Sequence, residues 1–305
     1  MTGSPYDDFG ASAGGGPVAQ IIEAMPAEDY DALPYLRNSD LHHMARSGAH
    51  FYEHRENPTQ TETPALSFGT LSHCGVLEPD AIEERYQRIP AYELEIDAKS
   101  PKLTKAYREQ VAAFREAVAP KTAVPIADYD RMVGVAKSVK DCADVFRDGR
   151  AETVLVWQDS ETSIWCKARL DYLKFHGDTG TIYDLKTSRD CLDFGRSIGR
   201  YGYDRQAAFY LRGCRALGLE VQSFWFVVVE PHPPFGCMAA PLDPVTLADG
   251  EAQVKDLLAR VAKCEALGEW EGYEHPETWR KPDYQMKYKP REKVQVTVGG
   301  HTVAV

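Results

Sequence analysis

Residues 152–159 read ETVLVWQD, residues 164–175 IWCKARLDYLKF and residues 181–188 TIYDLKTS, and these three runs decide the fold. Each alternates apolar and polar positions with the period of a β-strand. The intervening turns, at Asp159 to Glu161 and His176 to Gly180, are short and polar or contain glycine. Adjacent strands joined this way are most economically an antiparallel meander.

Working outward, the periodicity changes from two to three or four residues on both sides. Upstream, Ser39 to Arg55 reads as one capped helix with Leu41, Met44, Ala45 and Phe51 available for burial, followed by a polar loop from Asn57 to Pro64. Further helices are expected from about Ser67 to Pro79, from Thr104 to Val118 and from Ala127 to Phe146. Downstream come a helical region from Leu192 to Leu217, a buried strand in VQSFWFVVVEP, a strand near Gly236 to Ala240, and a long helix from Pro244 to Leu267. The closing VQVTV-GG-HTVAV has the two-glycine centre of a β-hairpin. These elements describe an α+β fold, a mixed sheet flanked by helices with extra helices at its N-terminal side. The expected organisation is a flexible tail over 1–29, one domain over 30–285 and a hairpin over 286–305.

The 305 residues, 43% hydrophobic and 27% charged, suit a globular chain able to bury a substantial core. No apolar run is long enough to span a bilayer, and MTGSPYDDFGASAGGGPVAQ has no apolar leader segment, so a cytoplasmic location is the expectation. Seven widely spaced cysteines (74, 142, 166, 191, 214, 237, 264) include no C-x2-C pair, which disfavours zinc ribbons and disulfide scaffolds and suits reduced packing residues. A net charge of −11 excludes a general nucleic-acid coat. Two segments reverse that balance. One, from Lys186 to Arg215, includes Arg189, Arg196, Arg200 and Arg205; the other runs from Arg280 to Lys293. They fit either a restricted DNA track or solvated helix faces.

On the strand through Ile182 to Thr187, alternation directs Asp184 and Lys186 to one side, about 7 Å apart. Pairing with the preceding strand can bring Asp171 beside Asp184. Two close carboxylates repel unless a proton or cation lies between them, and Mg2+ suits such oxygen ligands. An adjacent lysine can orient a water or hold developing negative charge. Read alone, the D-x-K spacing also fits a surface salt bridge, and Asp97-Ala98-Lys99 repeats it without a partner acid. His73, a potential metal ligand or proton donor, reads equally as a hydrogen-bonded core histidine. Gln206 and Tyr210, four residues apart, share a helix face. Asp178 and Asp159 are substitutes for Asp171 if the register slips by a residue.

In chain order these residues form G-x-x-x-H-x-x-x-x-E (Gly69, His73, Glu78), D (Asp171), D-L-K-T (Asp184 to Thr187) and Q-x-x-x-Y (Gln206 to Tyr210). That order resembles the RecB-type branch of the PD-(D/E)xK nucleases, and within it the RecE-like (exonuclease VIII) nuclease domains. The likeness extends over about residues 30–285, with SGAHFYEH, SFGTLSHCGVLEP and GEWEGY adding to it. It implies a restriction-endonuclease-like core and a Mg2+-dependent deoxyribonuclease, with Mn2+ as a substitute ion. His73, Asp171, Asp184 and the Leu185 carbonyl would hold the metal, Lys186 would serve the attacking water, and Gln206 and Tyr210 would brace the site or the DNA. It also implies action on linear duplex ends from 5′ to 3′ in phage-type recombination or repair, a ring-shaped homo-oligomer around the DNA, and a single-strand annealing partner. Tyr183 stands where many relatives have proline before the acid. Iron–sulfur relatives use a C-terminal cysteine cluster that this chain lacks, so no such cluster is expected.

Overall fold

The computed structural model describes residues 18–58, 64–90, 105–143 and 145–273, and the backbone of 295–298 and 301–304. The described residues up to Glu271 form one unit, and those from Gly272 onward form a second. In the first, a short strand β1 (Gln20–Ile22) leads into helices α1 (Ala27–Ala32), α2 (Asn38–Arg46), α3 (Gly48–Glu56) and α4 (Pro64–Leu77). The short α5 (Ile82–Arg85) and β2 (Tyr86–Arg88) follow, then α6 (Lys105–Val118), β3 (Thr122–Val124) and α7 (Ile126–Cys142). Strands β4 (Arg150–Gln158), β5 (Trp165–His176) and β6 (Thr179–Thr187) form the meander. Helices α8 (Phe194–Tyr201) and α9 (Tyr203–Ala216), strands β7 (Val221–Val229) and β8 (Cys237–Pro241), and helix α10 (Pro244–Leu267) complete this unit.

The six-stranded sheet has the order β1-β4-β5-β6-β7-β8. It is antiparallel throughout except for β6 and β7, which are parallel because α8 and α9 carry the chain across between them. One face packs on α2, α3, α9 and α10 through Leu41, Met44, Phe51, Phe209 and Leu258; the other packs on α4 and α7 through Leu71, Met132, Val135 and Val139. In the second unit, β9 (Gln295–Val298) and β10 (His301–Ala304) pair antiparallel as a hairpin.

One expected helix is divided, and the expected helical region from Leu192 to Leu217 is resolved into two helices. Ser39 to Arg55 breaks at Ser47, whose backbone is extended and whose Oγ accepts from the His50 amide, so that it caps α3 instead of continuing α2. Leu192 to Leu217 breaks at Gly202, where φ is +67°, a left-handed turn that glycine adopts at least cost. Helix α7 ends at Cys142, four residues before the expected end at Phe146. Within GEWEGY, Trp270 stacks on Phe51 of α3 at 5.3 Å, and Glu271 O accepts from the Ala49 amide at 2.9 Å. The Asp97-Ala98-Lys99 repeat and the basic segment from Arg280 to Lys293 lie outside the described residues.

A further irregularity positions the site. Leu170 and Tyr172, which a regular strand would direct to one face, pack into opposite cores, as do Leu155 and Ala151 on the neighbouring strand. Between them lie Asp171 and Glu152, and Glu152 has a φ of +51°, rare for a residue with a side chain. The two strands therefore roll over where Asp171 is presented, within reach of helices on both sides of the sheet.

Candidate active site

The β4–β5 register flanks Glu152 and Asp171 with the pairs Ala151↔Tyr172 and Thr153↔Leu170. One step beyond the last paired residues of β5 and β6, Tyr172↔Tyr183, Asp171 falls opposite Asp184. Three neighbouring strands thus carry an acid at the same level. Asp171 Oδ2 accepts from the Leu185 amide at 2.8 Å and lies 3.5 Å from His73 Nδ1, which α4 brings in from the side of the sheet opposite α9. His73, Glu152 and Asp171 each offer one ligand atom, all within 4.8 Å of one another. Asp184 is not part of that group.

Asp184 is completely buried. It forms an ion pair with the Lys186 ammonium through Oδ2 and accepts from Gln206 Nε2 at 3.0 Å through Oδ1. Gln206 Nε2 also donates to Tyr210 Oη at 3.1 Å, so the i, i+4 pair on α9 acts as a brace behind the acid. Lys186 Nζ lies 5.0 Å from the centre of the Tyr203 ring, which the turn at Gly202 delivers at the start of α9.

The electrostatics follow from crowding. Burial, opposed by Lys186 and reinforced by Asp171, pushes the Asp184 carboxyl up to about 6. Burial and then Asp171 push Glu152 up to about 7, with Arg169 opposing; the Arg169 Nε to Glu152 Oε2 distance is 2.9 Å. For Lys186 burial favours the neutral amine, but attraction to Asp184 and Asp171 outweighs it and holds the ammonium above its ordinary range. Three crowded carboxylates and one imidazole suit a hard divalent cation.

The structure therefore brings His73, Asp171, Asp184, Leu185, Lys186, Gln206 and Tyr210 to one corner. Arg189, Arg196 and Arg200 are exposed on the segment that follows β6, with Arg196 paired to Asp193 at 3.0 Å. Arg205 is buried, 5% exposed, with its guanidinium tucked under Gly202, so it does not share that exposed surface. Of the other motif positions, Glu78 forms a two-pronged pair with Arg85 at 2.6 and 2.7 Å, and a Cβ at Gly69 would meet nothing within 4 Å. Asp159 is occupied by Arg212 and Thr162, and Asp178 lies in the β5–β6 turn. The residue that sequence reasoning missed is Glu152. Its signal was available: counting back from the β5–β6 turn puts Asp171 opposite Asp184, and counting back from the β4–β5 turn puts Glu152 opposite Asp171.

The chain matches, over residues 38–282, the family described as a PDDEXK-like domain of unknown function (DUF3799), and it belongs to that family. The crystal structure of a candidate exonuclease from Eubacterium rectale shares the fold: it is 14% identical, covers 87% of this chain and 99% of its own length, and has a TM-score of 0.52. The crystal structure of SSO0001 is 16% identical and covers 50% of this chain and 66% of its own, but its TM-score of 0.26 bears no weight. No curated protein matches. The α+β architecture with a six-stranded mixed sheet is that of the PD-(D/E)xK fold. Among the described residues no helix is long and apolar enough to cross a membrane.

Proposed function

We propose that this protein is a divalent-metal-dependent deoxyribonuclease that hydrolyses phosphodiester bonds from the ends of linear duplex DNA, in the 5′ to 3′ direction, in phage-type recombination or repair. The observation that carries the reading is the convergence, in a PDDEXK-like family member, of His73, Asp171 and the buried Asp184–Lys186 pair at one corner of the sheet. In this reading His73, Asp171, Asp184 and the Leu185 carbonyl hold Mg2+, for which Mn2+ substitutes. When bound, the ion supplies Lewis-acid stabilisation of phosphate oxygen and a more acidic water.

The chain's own groups do the rest. Lys186 remains an ammonium, able to donate to an attacking water and to meet negative charge growing on the phosphate. Gln206, held by Tyr210, fixes the Asp184 carboxylate so that it does not reorganise as charge develops. Arg189, Arg196 and Arg200 are proposed contacts to backbone phosphates. A ring of several copies would confine basic surface to its lumen and so reconcile DNA binding with the net charge of −11; a single-strand annealing protein would take up the product strand.

The test is degradation of 5′-labelled and 3′-labelled linear duplex, closed circular duplex and single strands in Mg2+. Early release of 5′ label from linear duplex, with circles untouched, is the expected result. Cleavage of circles, or a preference for single strands, would replace the substrate assignment, and inertness toward all of them in Mg2+ and Mn2+ would overturn the activity.

A further inference from the structure

We infer that Glu152 is itself a ligand of the divalent cation, so that the ion is drawn toward the β4–β5 side of the site by His73, Glu152 and Asp171. This rests on the metal-dependent reading above and adds to it a residue absent from the motif set. The three side chains come from a helix and two strands, yet their ligand atoms lie within 4.8 Å of one another, a spread that small movements close to the coordination distances of Mg2+ or Mn2+. They are partly buried, at 29%, 20% and 14% exposure for His73, Glu152 and Asp171, so this is no loose surface acid patch.

Two further observations point the same way. Arg169 takes one oxygen of Glu152 and is itself fixed 5.1 Å above the Tyr30 ring, which leaves the second oxygen oriented and available. An outer group that orients a liganding carboxylate is a general feature of metal sites. Beside this group, the strand register sets Asp171 opposite Glu152 on one side and opposite Asp184, the partner of Lys186, on the other.

The experiment is titration of the purified full chain with Mn2+, without DNA, followed by calorimetry and by the electron paramagnetic resonance of free Mn2+. Glu152→Gln keeps shape and removes the charge; it should weaken Mn2+ binding about tenfold or more, while Glu152→Asp retains part of the affinity. Wild-type affinity in a folded Glu152→Gln protein overturns the inference. If Glu152→Gln does not fold, equal Mn2+ affinity in Glu152→Asp and wild type overturns it instead. Loss of binding in Asp184→Asn but not in Glu152→Gln removes Glu152 as a ligand and leaves the nuclease reading standing. Absence of Mn2+ binding by the wild type removes both.

Discussion

Strand β5 carries two charges four residues apart, the buried Lys167 and the partly buried Asp171, and the chain treats them in opposite ways. Lys167, 3% exposed, donates to the carbonyls of Tyr30, Asp31 and Leu33 at 2.7, 3.2 and 2.7 Å, so all three ammonium protons are used. Burial, followed by the nearby Arg37, lowers its pKa to about 8, but its polar needs are met by the backbone at the C-terminal end of α1. At the other end Asp171, Glu152 and Asp184 are set near one another, and burial together with mutual repulsion pushes Glu152 and Asp184 toward neutrality. A polar group that serves structure is saturated with neutral backbone partners, whereas the acids of this corner are crowded against one another although each keeps a partner of its own.

The largest effect expected of that contrast is catalytic. Lys186→Ala should reduce turnover on end-labelled duplex by about a thousandfold while calorimetry shows Mn2+ affinity retained; a normal rate would remove Lys186 from the chemistry. At the saturated end, Lys167→Met removes the donor shared by three carbonyls and should cost about 2 kcal/mol of stability in denaturant unfolding, with turnover per folded molecule unchanged.

The acid end should respond with the opposite sign. A raised carboxyl pKa means that the folded state holds its proton more tightly than the unfolded chain, so ionisation opposes folding. The contribution from Glu152 and Asp184 is full below about pH 4 and is lost as pH rises toward about 7. Metal-free Glu152→Gln is therefore expected to melt no lower than wild type at about pH 8. Mn2+, which needs the deprotonated ligands, should raise the melting temperature of the wild type more at about pH 8 than at about pH 5.5. Equal shifts at both would contradict the assigned titration. The smallest effect concerns the turn that delivers Tyr203 and Gln206. In Gly202→Ala the left-handed backbone costs about 1 kcal/mol, and the added Cβ meets the Arg205 guanidinium at 2.5 Å; a thermal melt reads the loss, and an unchanged midpoint would show that the turn relaxes freely.

Much of this organisation was legible in advance because it is local. The strands β4, β5 and β6, the long helix α10 and the terminal hairpin declare themselves by period and turn chemistry, and D-L-K-T with Q-x-x-x-Y singled out residues that do come together. The breaks at Ser47 and Gly202 were less legible, since serine and glycine occur inside helices too, and only the cap at His50 and the positive φ settle them. Arg205 counted as one more positive charge in the sequence, and its burial depends on how α9 packs.

The residues alone determined the α+β class and the meander and allowed Asp171 to fall opposite Asp184, because side-chain alternation and short turns leave few registers; the register that excludes Asp178 and Asp159 came from the structure. Only tertiary structure decided that β6 and β7 run parallel, that Glu152 joins His73 and Asp171, and that Glu78 turns away to Arg85. Those depend on contacts between segments far apart in the chain, and on a roll of two strands that their alternation conceals.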